Sequence, residues 1–189
     1  MAFTTLTSSA YSTLDATKLT GNLPAISGAS LTGIDAGINM FDAWYTTSTQ
    51  THSSGEHRLQ NWSRLSNESA KKMTNIGSAM SQTGGEWTFP ATGKYMIMVK
   101  TYCNGNATTN YAGIIIKNAN NQQLNSAYTN RNNSNDEHGM VMAMTFLDVD
   151  NTTNDSCKVR FNTNQGATST WASGGDMETS AFFVRIGDT

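Results

Sequence analysis

Charge is scarce in this chain of 189 residues: Asp, Glu, Lys and Arg together supply 14% of it, and the formal net charge is −2. Surfaces that bind nucleic acid carry a basic patch to neutralise phosphate, so nucleic acid is not an expected partner. Long apolar runs are lacking as well. None approaches the ~20 residues that a membrane span requires, and the start Met1-Ala2-Phe3-Thr4-Thr5 has neither the basic segment nor the apolar stretch of a secretory signal. No membrane insertion, and assembly in a cytoplasm, are expected. Cysteine is limited to Cys103 and Cys157, which form no CxxC and no zinc-type spacing. Two free thiols are the plainer reading, and a cross-strand bond formed in an oxidising medium is the alternative.

Residues suited to chemistry are few and poorly placed. His52, His57 and His138 all lie in polar, turn-like context, where exposed loop histidines are the ordinary case. Asp148, Asp150 and Asp155 attract attention as hard-cation ligands, yet they fail the calcium-loop pattern, which needs a glycine at its sixth place and a closing glutamate. No nucleophile elbow or other catalytic signature surrounds a serine. The expectation is a non-enzymatic protein with no metal and no cofactor.

What the chain does have is Asn, Ser, Thr and Gly. These residues compete for backbone hydrogen bonds and favour turns and extended chain over helix interiors, so the composition reads all-β. The stretch Trp87-Thr88-Phe89-Pro90-Ala91-Thr92-Gly93-Lys94-Tyr95 reads as strand, tight turn, strand, with an aromatic on each side of the bend. Pro90 removes a donor, and Gly93 lets the backbone turn. A strand-like run covers 41–50, and a weaker one 58–65. Further strands are expected at 86–89, 95–103, 111–117, 140–149, 157–162 and 179–186, separated by Asn-rich turns at 104–106, 118–121, 130–135 and 151–155. That spacing predicts a jelly roll or related sandwich.

The two faces of each strand carry more information than the number of strands. In 157–161 the alternation is clean, with Cys157, Val159 and Phe161 inward and Lys158 and Arg160 outward. In 95–103, Tyr95, Ile97 and Val99 fill one face while Met96 and Met98 fill the other. The segments 140–147 and 181–186 are also apolar on both faces. A sandwich has one inner face per sheet, so these strands need a second cover. A partner subunit is the economical one, which makes Phe89, Tyr95 and Phe161 candidates for the core and Met96 and Met98 candidates for the subunit interface.

Residues 1–40 differ from the rest. Leu19-Thr20-Gly21 recurs as Leu31-Thr32-Gly33, and single apolar residues alternate with small polar ones. Leu19, Leu23, Ile26, Leu31 and Ile34 would stay wet unless another chain covered them. Two readings stand: a flexible low-complexity linker, or an extended arm that docks on a larger assembly. The domain division expected is an arm at 1–40 and a head at 41–189.

The stretch from Trp87 to Tyr95 resembles the phe-x-pro-x-x-gly-x-tyr motif of the globular heads of the complement q subunit, which are related in fold to tumour necrosis factor. Ser180-Ala181-Phe182-Phe183-Val184 is similar to that family's closing strand. The resemblance covers about 41–187 and implies a jelly roll that assembles as a homotrimer; some family members bind calcium near the trimer axis. Asp150-Asn151-Thr152-Thr153-Asn154-Asp155 departs from the compact turn the family usually has there. The segment Lys18 to Ile34 is similar to segments of structural and fibre proteins of tailed bacteriophages. Together these resemblances imply a virion protein, with an anchor that docks on other virion proteins and a trimeric head. Trp171, with the Asn-rich tips at 130–135, is the candidate rim for a host-surface glycan, and a carbohydrate-binding module without a virion role is the alternative function.

Overall fold

The computed structural model of the protein describes residues 38–65, 74–105, 111–130, 137–171 and 177–188. Within them the chain forms strands β1 (Met40–Thr46), β2 (Gln50–His52), β3 (Gly55–Arg58), β4 (Trp62–Arg64), β5 (Ser81–Thr83), β6 (Glu86–Thr88) and β7 (Gly93–Gly105). These are followed by β8 (Tyr111–Asn118), β9 (Gln123–Asn130), β10 (Glu137–Val149), β11 (Val159–Gln165), β12 (Ser169–Trp171) and β13 (Ser180–Gly187), with one 3-10 turn at Asp155–Cys157. The anchor candidates Leu19, Leu23, Ile26, Leu31 and Ile34 lie outside the described residues.

Every strand pairing is antiparallel, and the strands form two sheets. Sheet A has seven strands in the order β2-β12-β7-β13-β1-β4, with β10 on the other edge of β7. Sheet B has six, in the order β5-β6-β11-β8-β9, with β3 also on β11. Alternation along each strand sends one apolar set into the space between the sheets.

Trp87 is the hub of that space. It is fully buried, and its ring meets Trp62 at 4.9 Å, Phe161 at 4.8 Å, Phe183 at 5.8 Å and Trp44 at 6.3 Å. Such aromatic contacts contribute roughly 0.5–1.5 kcal/mol each beyond area burial. Phe89 and Tyr95 pack at 4.5 Å, and Phe161 belongs to the same cluster.

The segment from Trp87 to Lys100 differs from the hairpin read in the sequence. β6 pairs with β5 and β11 in sheet B, whereas β7 belongs to sheet A, so the chain crosses from one sheet to the other at this bend. Both aromatics then point into the same core from opposite layers, and the Tyr95 hydroxyl donates to the Ala91 carbonyl at 2.9 Å to close the corner. Gly93 sits at φ +145°, and a Cβ there would come within 2.5 Å of Arg185 Nε and 2.7 Å of the Gly187 carbonyl. Only glycine fits. Cys103 and Cys157 are both buried; the Cys103 thiol donates to the Gly139 carbonyl at 3.4 Å and the Cys157 thiol to Asp150 Oδ1 at 3.2 Å.

Candidate subunit interface

β7 and β10, each of 13 residues, pair along their full length from Glu137↔Gly105 to Val149↔Gly93. Alternation turns Tyr95, Ile97, Val99, Val141 and Ala143 into the core, which obliges the intervening residues to face outward. On β10 these are Met140, Met142, Met144 and Phe146, exposed by 65%, 58%, 42% and 61%. The ladder sets Met98 opposite Met144 and Met96 opposite Phe146. Met96 and Met98, the residues picked from the sequence, are half-buried on this face.

The apolar surface continues across the sheet. Phe182 lies opposite Met98, Val184 opposite Met96, and beyond them Ala43 and Phe41 on β1. That far side is covered by the chain itself. Phe41 stacks on Phe182 at 6.2 Å, and Leu65 and Met177 complete a small cluster with Ala43 and Tyr45. Among the described residues, the β7–β10 side has no such cover, and its β10 side chains are exposed. Lys94 opposite Asp148 marks its polar limit at one end, and Lys100 stands opposite Met142 within it.

The free edge of β10 is guarded. Asn125 Nδ2 on β9 donates to the Met144 carbonyl at 2.5 Å, occupying an acceptor that an added strand would use. The face therefore offers side chains rather than a strand edge.

Three clusters of buried or partly buried polar groups elsewhere have structural partners. Asp42, fully buried on β1, accepts from Arg64 Nε at 2.5 Å, Trp44 Nε1 at 2.9 Å and the Met80 amide at 2.8 Å. Glu56 accepts from Lys117 Nζ at 2.7 Å and Asn162 Nδ2 at 2.6 Å. Partial burial works to raise the Glu56 carboxyl, but these hydrogen bonds and the Lys117 charge outweigh it and hold the group below the usual range. His52 and His57 stack at 4.9 Å, with His52 Nδ1 at 3.0 Å from Thr163 Oγ1. Burial first, and then the neighbouring His57, push His52 below the ordinary imidazole value. Among the described residues, no three His, Cys, Asp or Glu side chains gather as a metal site requires. These groups tie strands together, and Ser53 Oγ lies 3.3 Å from His57 Nε2 at the surface beside them.

Trp171 requires a correction. Its ring is 1% exposed and lies in the core cluster, because β12 pairs with β7 and points this side chain between the sheets. A ring so buried cannot stack against a sugar.

No family model and no curated protein matches the chain. Solved structures do. The Eiger tumour necrosis factor of S. frugiperda superposes with a TM-score of 0.59 at 11% identity, covering 82% of this chain and 96% of that one. The fold is a tumour-necrosis-factor-like jelly roll. Murine APRIL, in its pH 8.0 crystal structure, gives a TM-score of 0.55 at 9% identity over 78% of this chain and 98% of its own. A second APRIL structure, at pH 5.0, gives 0.53 at 9% identity over the same shares. At such identities the likeness is one of fold, and in this jelly roll the apolar β7–β10 face is built from the chain's own pattern of methionines.

Proposed function

We propose that the chain is a non-enzymatic virion structural protein of a tailed bacteriophage, a fibre, knob or decoration protein whose jelly-roll head assembles as a homotrimer through the β7–β10 face. The observation that carries the assembly is the open row Met140, Met142, Met144 and Phe146 beside Met96 and Met98. Burying what remains exposed of these four side chains contributes roughly 3–7 kcal/mol, in the lower part of association costs of about 4–15 kcal/mol. Jelly rolls of this kind typically trimerise, which favours a threefold ring over other closed symmetries. Each subunit then presents its apolar face to a different surface of its neighbour.

The setting rests on the phage-like segment from Lys18 to Ile34. Residues 1–40 attach the head to other virion proteins, and the protein resides on the particle after assembly in the host cytoplasm. Detection of the chain in purified particles, together with a trimer mass in solution, tests this reading. A protein absent from particles contradicts the setting, and a stable monomer contradicts the assembly.

A further inference from the structure

Sheet B carries an aromatic surface distinct from the β7–β10 face. Tyr128 of β9 stands opposite Gly113 of β8, which stands opposite Asn164 of β11. Gly113 belongs to the outer face, because its neighbours Ala112 and Ile114 both lie in the core. The Tyr128 ring crosses β8 directly above this glycine, and a Cβ at 113 would overlap ring atoms Cδ1 and Cε1. Asn164 Nδ2 donates to the Tyr128 hydroxyl at 3.3 Å, pinning the far end of the ring over β11. Tyr111 meets the ring edge-on at 5.9 Å and 70°. Held at both ends and along one edge, Tyr128 still leaves 47% of its surface to solvent.

A flat ring with one face on the backbone and the other open, bordered by an amide and a second phenol, suits a narrow class of ligand. A pyranose presents a C–H-rich face that stacks on such a ring, while its hydroxyls take hydrogen bonds from groups in the ring's plane. A nucleotide could stack equally well, but its phosphate needs a cation. Lys117 of β8, on the same strand as Gly113, is already engaged by Glu56. We infer that Tyr128, Tyr111 and Asn164 form a binding site for one pyranose unit of a glycan. Gly113 is the enabling residue, since any side chain there lifts the ring off the sheet.

The site and the β7–β10 face lie on different sheets. The test is an amide-resolved NMR titration of the full chain with the methyl glycosides of glucose, galactose, mannose and N-acetylglucosamine, each in large excess, and with adenosine monophosphate. At least one glycoside shifts the Gly113, Tyr128 and Asn164 signals saturably. Tyr128→Ala weakens that binding by about tenfold or more, while Tyr128→Phe, which keeps the ring over Gly113, retains most of it. Should Tyr128→Ala fail to fold, Tyr111→Ala serves in its place, with a loss expected. Silence from all four glycosides overturns the site, as does equal binding by a folded variant lacking the ring. A response to the nucleotide alone overturns the ligand class.

Discussion

Met144 of β10 stands opposite Met98 of β7, and both side chains leave the outer face of sheet A while their neighbours Ala143 and Val99 close the core behind them. A strand apolar on both faces is stable only when both faces are covered. The inner cover is sheet B, and the outer one is proposed to be a second copy of the chain.

Met144→Glu places a carboxylate at the centre of that outer row. The substituted chain is expected to keep its β-sheet circular dichroism, with its own stability changed by less than about 1 kcal/mol, as for a solvent-facing site. Its oligomer is expected to dissociate, because burying an unpaired charge is costly. Sedimentation of variant and parent at equal concentration checks both statements.

Gly93→Ala introduces a Cβ at φ +145° against the Gly187 carbonyl and Arg185. Backbone strain of this kind costs about 1–3 kcal/mol. A lowered denaturation midpoint is expected with no change in the denaturant slope.

Trp171→Ala removes a buried ring that packs between the sheets. The expected loss is about 3–5 kcal/mol. Thermal unfolding measures it, and a variant as stable as the parent contradicts the buried placement.

Stability is expected to decline as pH falls through the ordinary imidazole range. Folded His52 binds its proton less readily than the unfolded chain does, because burial and the stacked His57 oppose the charge. Below the ordinary imidazole value the unfolded state therefore holds more protons, and acidification favours unfolding until the folded His52 itself titrates. Glu56 is held low by Lys117 and Asn162, and its contribution is lost only in the more acid carboxylate range. His52→Asn flattens the upper window, as read from urea midpoints across pH.

Deleting residues 1–34 removes the proposed anchor from the head. Trimeric heads are expected to survive, since β1 begins at Met40, and incorporation into particles is expected to fail. Loss of the folded head together with the arm contradicts that division.

The sandwich was legible where apolar residues alternate densely. β7, β10, β11 and β13 stand close to their expected bounds, and the β-branched and aromatic runs that announce them also form the core. β9 escaped, because Gln123–Asn130 is mostly polar and reads as loop; it is an edge strand of sheet B, so few of its side chains need to be apolar. With it went the Tyr128 platform, whose one sequence trace is the glycine interrupting the apolar run of β8. The corner at Pro90 was misread as a hairpin because a turn signal states that the chain bends, not which sheet receives it. Trp171 was misplaced for a related reason. A three-residue strand set among Ser, Thr and Gly looks like a loop, and only its pairing with Cys103 shows which way the ring points.

Light scattering coupled to size exclusion on the full chain tests the central claim most directly. Three copies of the 20.4 kDa chain are predicted in one particle at micromolar concentration, reverting to single chains with Met144→Glu. A parent protein that runs as a stable, folded monomer, with its row of methionines open to water, contradicts the account.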